Sequence, residues 1–143
     1  MRKGFSLVEL LVALAIFGLL AAAILSGLLG VFRVNRSANT EARAVVVAKD
    51  YLERARREAT YSGTTLSLPR FTQTGGFSVA VRAGGRLTPS ESVSLAACAR
   101  ENGNKYRCEV PCLQNQPPCS LFTVELTLEG NGRTYTFYRE WRP

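Results

Sequence analysis

The chain has 143 residues, with 18 Lys and Arg against 11 Asp and Glu, a net charge of +7, and no histidine. That length supports one small folded domain beside a membrane segment, not two. Lacking histidine excludes the commonest general base and metal ligand, and the positive balance suits a basic scaffold, a polyanion partner or an anionic membrane surface.

Arg2-Lys3 is followed by a single acid, Glu9, and from Leu10 to Phe32 there is no charged residue. Residues 33–143 therefore hold +6 of the +7, because Arg2 and Lys3 are offset by Glu9 alone. A helix over Leu10–Phe32 rises ~35 Å, enough to cross a hydrocarbon core of roughly 30 Å. A secretory signal peptide has a shorter apolar region. A simple signal anchor accounts for the length and for a basic pair held in the cytoplasm, but gives Glu9 no purpose. A carboxylate costs about 2.5–3.5 kcal/mol at the centre of a membrane helix and less near its end. A buried core helix is rarely so uniformly apolar behind a basic pair.

Gly4-Phe5-Ser6-Leu7-Val8-Glu9, leading into Leu10-Leu11-Val12-Ala13-Leu14-Ala15-Ile16-Phe17-Gly18-Leu19-Leu20, accounts for the acid. It resembles the class III signal of type IV pilins and type II secretion pseudopilins: a short basic leader ending in Gly, then Phe, then Glu, then a long apolar helix. The resemblance covers residues 2–30. It implies that a prepilin peptidase cuts between Gly4 and Phe5 and methylates the new amine of Phe5. Glu9 lies one helical turn from that amine. Pairing with it in the same helix, or with the amine of the next subunit, removes an unpaired charge from hydrocarbon, so Glu9 serves as a register device in assembly. Leu11-Val12-Ala13-Leu14-Ala15-Ile16-Phe17 looks more like minor pilins or minor pseudopilins than abundant major pilins. The apolar half lacks the proline of many major pilins, and Gly18, Gly27 and Gly30 soften it.

The first proline is Pro69, so nothing forces a break at the membrane surface. Ala38, Ala42, Val45, Ala48, Leu52, Ala55 and Ala59 form one thin stripe at steps of three and four. One helix from Phe5 to about Thr60 is predicted, ended by Ser62-Gly63; the alternative is two helices joined near Asn35-Arg36-Ser37. The pattern then turns to period two. Thr64–Leu68 and Phe77–Val81 are predicted strands, Gly84-Gly85 a turn, and Arg86-Leu87 a possible strand start. Phe122–Glu129, Gly130-Asn131-Gly132 and Arg133–Arg139 read as a hairpin. The predicted class is α+β, pilin-like: one long N-terminal helix packed by a small antiparallel sheet of about four strands. Its expected parts are a leader over 1–4, a transmembrane and filament-core helix over 5–33, and a globular domain over 34–143. Within that domain the helical spine spans 34–61 and the sheet and disulfide loops 62–143.

Cys98, Cys108, Cys112 and Cys119 lack the paired C-x2-C spacing of common zinc sites. In an exported domain they point to disulfides, with zinc or reactive thiols as the alternatives. Cys98–Cys108 and Cys112–Cys119 are the preferred pairs, because each closes a local loop through turn-forming residues.

No nucleophile–base pair, metal cluster or phosphate-cradling loop is read, so no enzyme, cofactor or metal is expected, and the acids Glu91, Glu101, Glu109, Glu125, Glu129 and Glu140 are placed mostly on outer faces or loops. The resemblance implies a minor pilin or pseudopilin of a type IV pilus, a type II secretion filament or a DNA-uptake filament. Its partners would be other pilins, the prepilin peptidase, the assembly platform and inner-membrane lipid. The N-terminus would be cytoplasmic and the C-terminal domain periplasmic, passing later into a filament. The second reading is an adhesive or DNA-binding minor pilin. Its contacts would be Arg82, Arg86, Arg100, Lys105 and Arg107, with Arg70 and Arg133 as further cations and Tyr106 and Tyr135 stacking on bases. Titration of denatured, unreduced protein is expected to find no free thiol; four free thiols would overturn the disulfide expectation.

Overall fold

The computed structural model describes residues 6–103, 105–110, 112 and 119–142. Helix α1 runs Leu7–Glu58. The chain divides into two compact units, Met1–Thr40 and Glu41–Pro143.

In the first unit the helix is Leu- and Ala-rich with no proline, a composition that favours helix throughout. All the large apolar side chains from Leu7 to Val34 are at least half exposed.

The second unit holds the remainder of α1 and, among the described residues, eight strands: β1 Thr60–Ser62, β2 Thr65–Leu68, β3 Ser78–Arg86, β4 Ala96–Ala97, β5 Ala99–Arg100, β6 Tyr106–Glu109, β7 Leu121–Gly130 and β8 Arg133–Trp141. These form two four-stranded antiparallel sheets, ordered β1-β2-β6-β5 and β4-β3-β7-β8. The architecture is α+β and pilin-like, with two sheets where a single small one was expected.

The helix stops at Glu58, short of the predicted 61. Thr60–Ser62 is strand, and Gly63 turns it back at φ 58°. The reason is tertiary. The Tyr61 ring stacks on Phe122 at 4.9 Å, and its hydroxyl accepts a 3.0 Å hydrogen bond from Trp141 Nε1. An extended backbone at Tyr61 makes both contacts.

The helix face in the core is Ala44, Ala48, Tyr51, Leu52 and Ala55. Ala42 and Val45, placed on the predicted stripe, are exposed. Tyr51 displaces the stripe. It is fully buried, stacks on Phe71 at 4.1 Å and meets Tyr106 edge-on. Its hydroxyl has no hydrogen-bond partner among the described residues, and burial pushes the phenol far above its usual range.

The β7–β8 hairpin closes on Asn131-Gly132, with φ 54° and 71°, between the paired Gly130 and Arg133. Two positive φ values in a two-residue loop match the twist of the strands, and Asn-Gly adopts them at least cost. On one face of β7, Phe122, Val124, Leu126 and Leu128 are fully buried. Thr123 and Glu125 on the other face are buried too. Glu125 therefore departs from its predicted outer position.

Gly84-Gly85 is not a turn. Both residues lie inside β3, opposite Thr123 and Phe122. A Cβ on Gly84 would press into the backbone at Ser94. One on Gly85 would come within 3.0 Å of the sulfurs of Cys112 and Cys119 and of Val110. The glycines mark a strand that other segments cross at close range.

Cys98 is bonded to Cys108 and Cys112 to Cys119. Cys98 is also where the chain leaves one sheet for the other, between β4 and β5. Its amide donates to Val81 O at 2.9 Å in β3, while its sulfur is tied to β6. The second bridge lies over Gly85, and Ser120 beside it donates from both N and Oγ to Arg86 O.

Gly85→Ala is expected to lower stability by about 1–3 kcal/mol through overpacking. The denaturant midpoint of the detergent-solubilised chain measures it, and an unchanged midpoint would contradict the close approach.

Candidate functional site

Gly4 and Phe5, the expected cut, lie outside the described residues, as do Arg2 and Lys3. The described site begins at Ser6. Its side-chain oxygen accepts the Val8 amide at 3.3 Å, and its carbonyl accepts the Leu10 amide at 3.2 Å. Ser6 is thus the N-cap of α1. With Glu9 it has the S-x-x-E spacing of a capping box, a signal present in the sequence and not used there. Glu9 sits in the first turn and is exposed. A negative charge at that position gains about 0.3–1 kcal/mol from the helix dipole. This is less than the cost of a carboxylate in mid-membrane, so the dipole by itself does not make Glu9 at home in hydrocarbon.

Beyond Glu9 the helix presents apolar side chains on all sides. Phe17, Leu20, Ala21, Ile24, Leu25 and Leu28 line one shallow cleft along it. The segment is long and apolar enough to cross a membrane, and none of its most apolar window is buried. In a helix of a soluble core at least one stripe would be covered.

The prokaryotic N-terminal methylation motif matches residues 1–25. The match supports a type IV pilin-like or pseudopilin chain. Such chains are structural subunits, cut by the prepilin peptidase and assembled with other pilins, and the apolar helix fits anchoring in the inner membrane before assembly. No curated protein and no solved structure matches the chain.

The cations singled out for nucleic acid are not equivalent. Arg82 reaches Glu125 at 3.3 Å and Leu95 O at 2.8 Å. Arg86 reaches Glu140 at 3.4 Å and Glu91 O at 3.4 Å. Arg107 pairs with Glu101 at 2.9 Å. Arg100 and Lys105 are exposed and have no acidic partner among the described residues. Tyr106 is buried, so it cannot offer a face to a base, and Tyr135 packs edge-on against Phe77 at 6.1 Å. The structure engages three of the five cations in holding the domain together.

Glu125 is the centre of one such network. Its carboxylate takes the Tyr138 hydroxyl as well as Arg82, and that hydrogen bond raises the Tyr138 phenol above its ordinary value, with Arg82 opposing. Arg82→Gln leaves a buried carboxylate without its cation. It is expected to cost about 1–2 kcal/mol, discounted because Arg82 is half exposed. Arg100→Gln should stay within about 0.5 kcal/mol of the parent. Equal denaturant midpoints for the two variants would contradict this division of the arginines.

Proposed function

We propose that this protein is a minor structural subunit of a type IV pilus or a related secretion or DNA-uptake filament. In this reading residues 1–4 are a leader, 5–33 the membrane and later filament-core helix, and 34–143 the exported domain. The peptidase cuts between Gly4 and Phe5 and methylates the Phe5 amine. Glu9 then meets that amine, its own or a neighbour's, and fixes the register of the subunit. The supporting observation is the methylation motif at residues 1–25 leading into a helix whose apolar surface is open on every side.

The minor assignment rests on the resemblance of residues 11–17 and on the absence of proline from the apolar half. DNA contact gains no support from the domain surface, where, among the described residues, only Arg100 and Lys105 of the five named cations have no acidic partner.

Mass spectrometry of protein isolated from cells with an active peptidase is expected to show a chain that begins at Phe5 and carries one methyl group. Glu9→Val should insert and be cut, yet enter filaments at a level at least tenfold below the parent. Normal incorporation of that variant would remove Glu9 from assembly.

A further inference from the structure

The apolar run of α1 ends in two arginines, Arg33 and Arg36, and the helix continues through both without a break. Three residues apart, they share one face of the helix and are separated by ~4.5 Å of rise along its axis. Both are exposed. Neither forms an ion pair among the described residues. No acid occurs between Glu9 and Glu41, so no residue one turn away from either arginine can neutralise it. Like charges at this spacing repel, and an anion shared between them relieves the repulsion.

The depth of the pair selects the anion. Leu10–Phe32 has the length of the hydrocarbon core, so Arg33 and Arg36 emerge where lipid phosphates lie. The other side of the helix at this level is built differently. Gly27, Gly30, Val31, Val34, Asn35 and Ala38 line a cleft there. Small residues let a neighbouring helix approach closely, which leaves the arginine side turned toward lipid. The guanidinium fork matches the oxygens of a phosphodiester.

Orientation is not what these cations serve. In the topology proposed above they stand on the exported side, where the positive-inside rule disfavours them. Cleavage after Gly4 also removes Arg2 and Lys3, so that Arg33 and Arg36 become the side-chain cations nearest the hydrocarbon.

We propose that Arg33 and Arg36 form a binding site for the headgroup of an anionic phospholipid, which holds the helix at a fixed depth. A zwitterionic headgroup carries its own cation against the phosphate and competes poorly. The site rests on the reading of α1 as a membrane span, though not on which end faces the cytoplasm. Each arginine near an anionic surface is worth about fivefold in partition.

The test places the full chain in nanodiscs of equal phosphatidylglycerol and phosphatidylcholine with matched acyl chains. Native mass spectrometry counts the lipids that remain bound on release. The parent should retain phosphatidylglycerol at least fivefold over phosphatidylcholine. The double variant Arg33→Gln, Arg36→Gln should fall within twofold of no preference. Arg100→Gln with Lys105→Gln removes the same charge from the exported domain and should keep the parent's preference. A parent without preference would overturn the proposal, as would a preference that survives in the first variant or is lost equally in the second. Dimers in phosphatidylcholine discs that only the first variant abolishes would assign the pair to a second copy and overturn the choice of partner. Flotation with vesicles separates the two readings. A chain that fails to float overturns the membrane span and this site with it, whereas one that floats without selecting lipid overturns the site alone.

Discussion

Seventeen large apolar side chains between Leu7 and Val34 are each at least 50% exposed. Covering them is worth on the order of tens of kcal/mol, at about 1.5–3 kcal/mol for each fully buried side chain. No fold of this size recovers such a sum by other means. Lipid or the same helix of other subunits must therefore supply the cover. The exchange of one apolar surrounding for the other is nearly neutral for the side chains, which lets a membrane segment become a filament core. Glu9 is the exception, since a carboxylate is not indifferent to its surroundings. In the proposed filament, a register that supplies it with an amine is favoured over one that does not.

The second unit is built to a different rule. It buries a compact core between a face of α1 and two small sheets, and the junction of the sheets is the weak point of such a plan. Cys98 serves that junction with its amide on one sheet and its sulfur on the other. The bridge between Cys112 and Cys119 presses on Gly85. Arginines that looked free in the sequence tie down the outer faces of β7 and β8 through Glu125 and Glu140. Much of the positive charge thus has structural employment.

What was legible follows physical range. The helix, the alternation of β7 and β8 and the Asn131-Gly132 turn depend on neighbours in sequence, and local pattern revealed them. Gly84-Gly85 did not, because the reason for two glycines is the passage of Ser94 and the Cys112–Cys119 bridge, both remote in sequence. Tyr51 was absent from the expected core because an alanine stripe is a weak guide to the face a helix buries when one large aromatic adjoins it. Strand β1 was hidden for the same reason: Tyr61 leaves the helix to reach Phe122 and Trp141, which lie some 60 to 80 positions later. At the amino terminus the sequence was more informative than the reading made of it, since Ser6 and Glu9 carry a capping signal alongside the processing one.

The most direct measurement of the central claim is where the chain is found when filaments are sheared from cells with and without an active prepilin peptidase. The account predicts the shortened, methylated chain in the sheared filaments when the peptidase is active, and the full-length chain confined to the membrane fraction when it is not. Full-length chain in filaments, or a soluble exported chain cut downstream of the apolar segment, would contradict it.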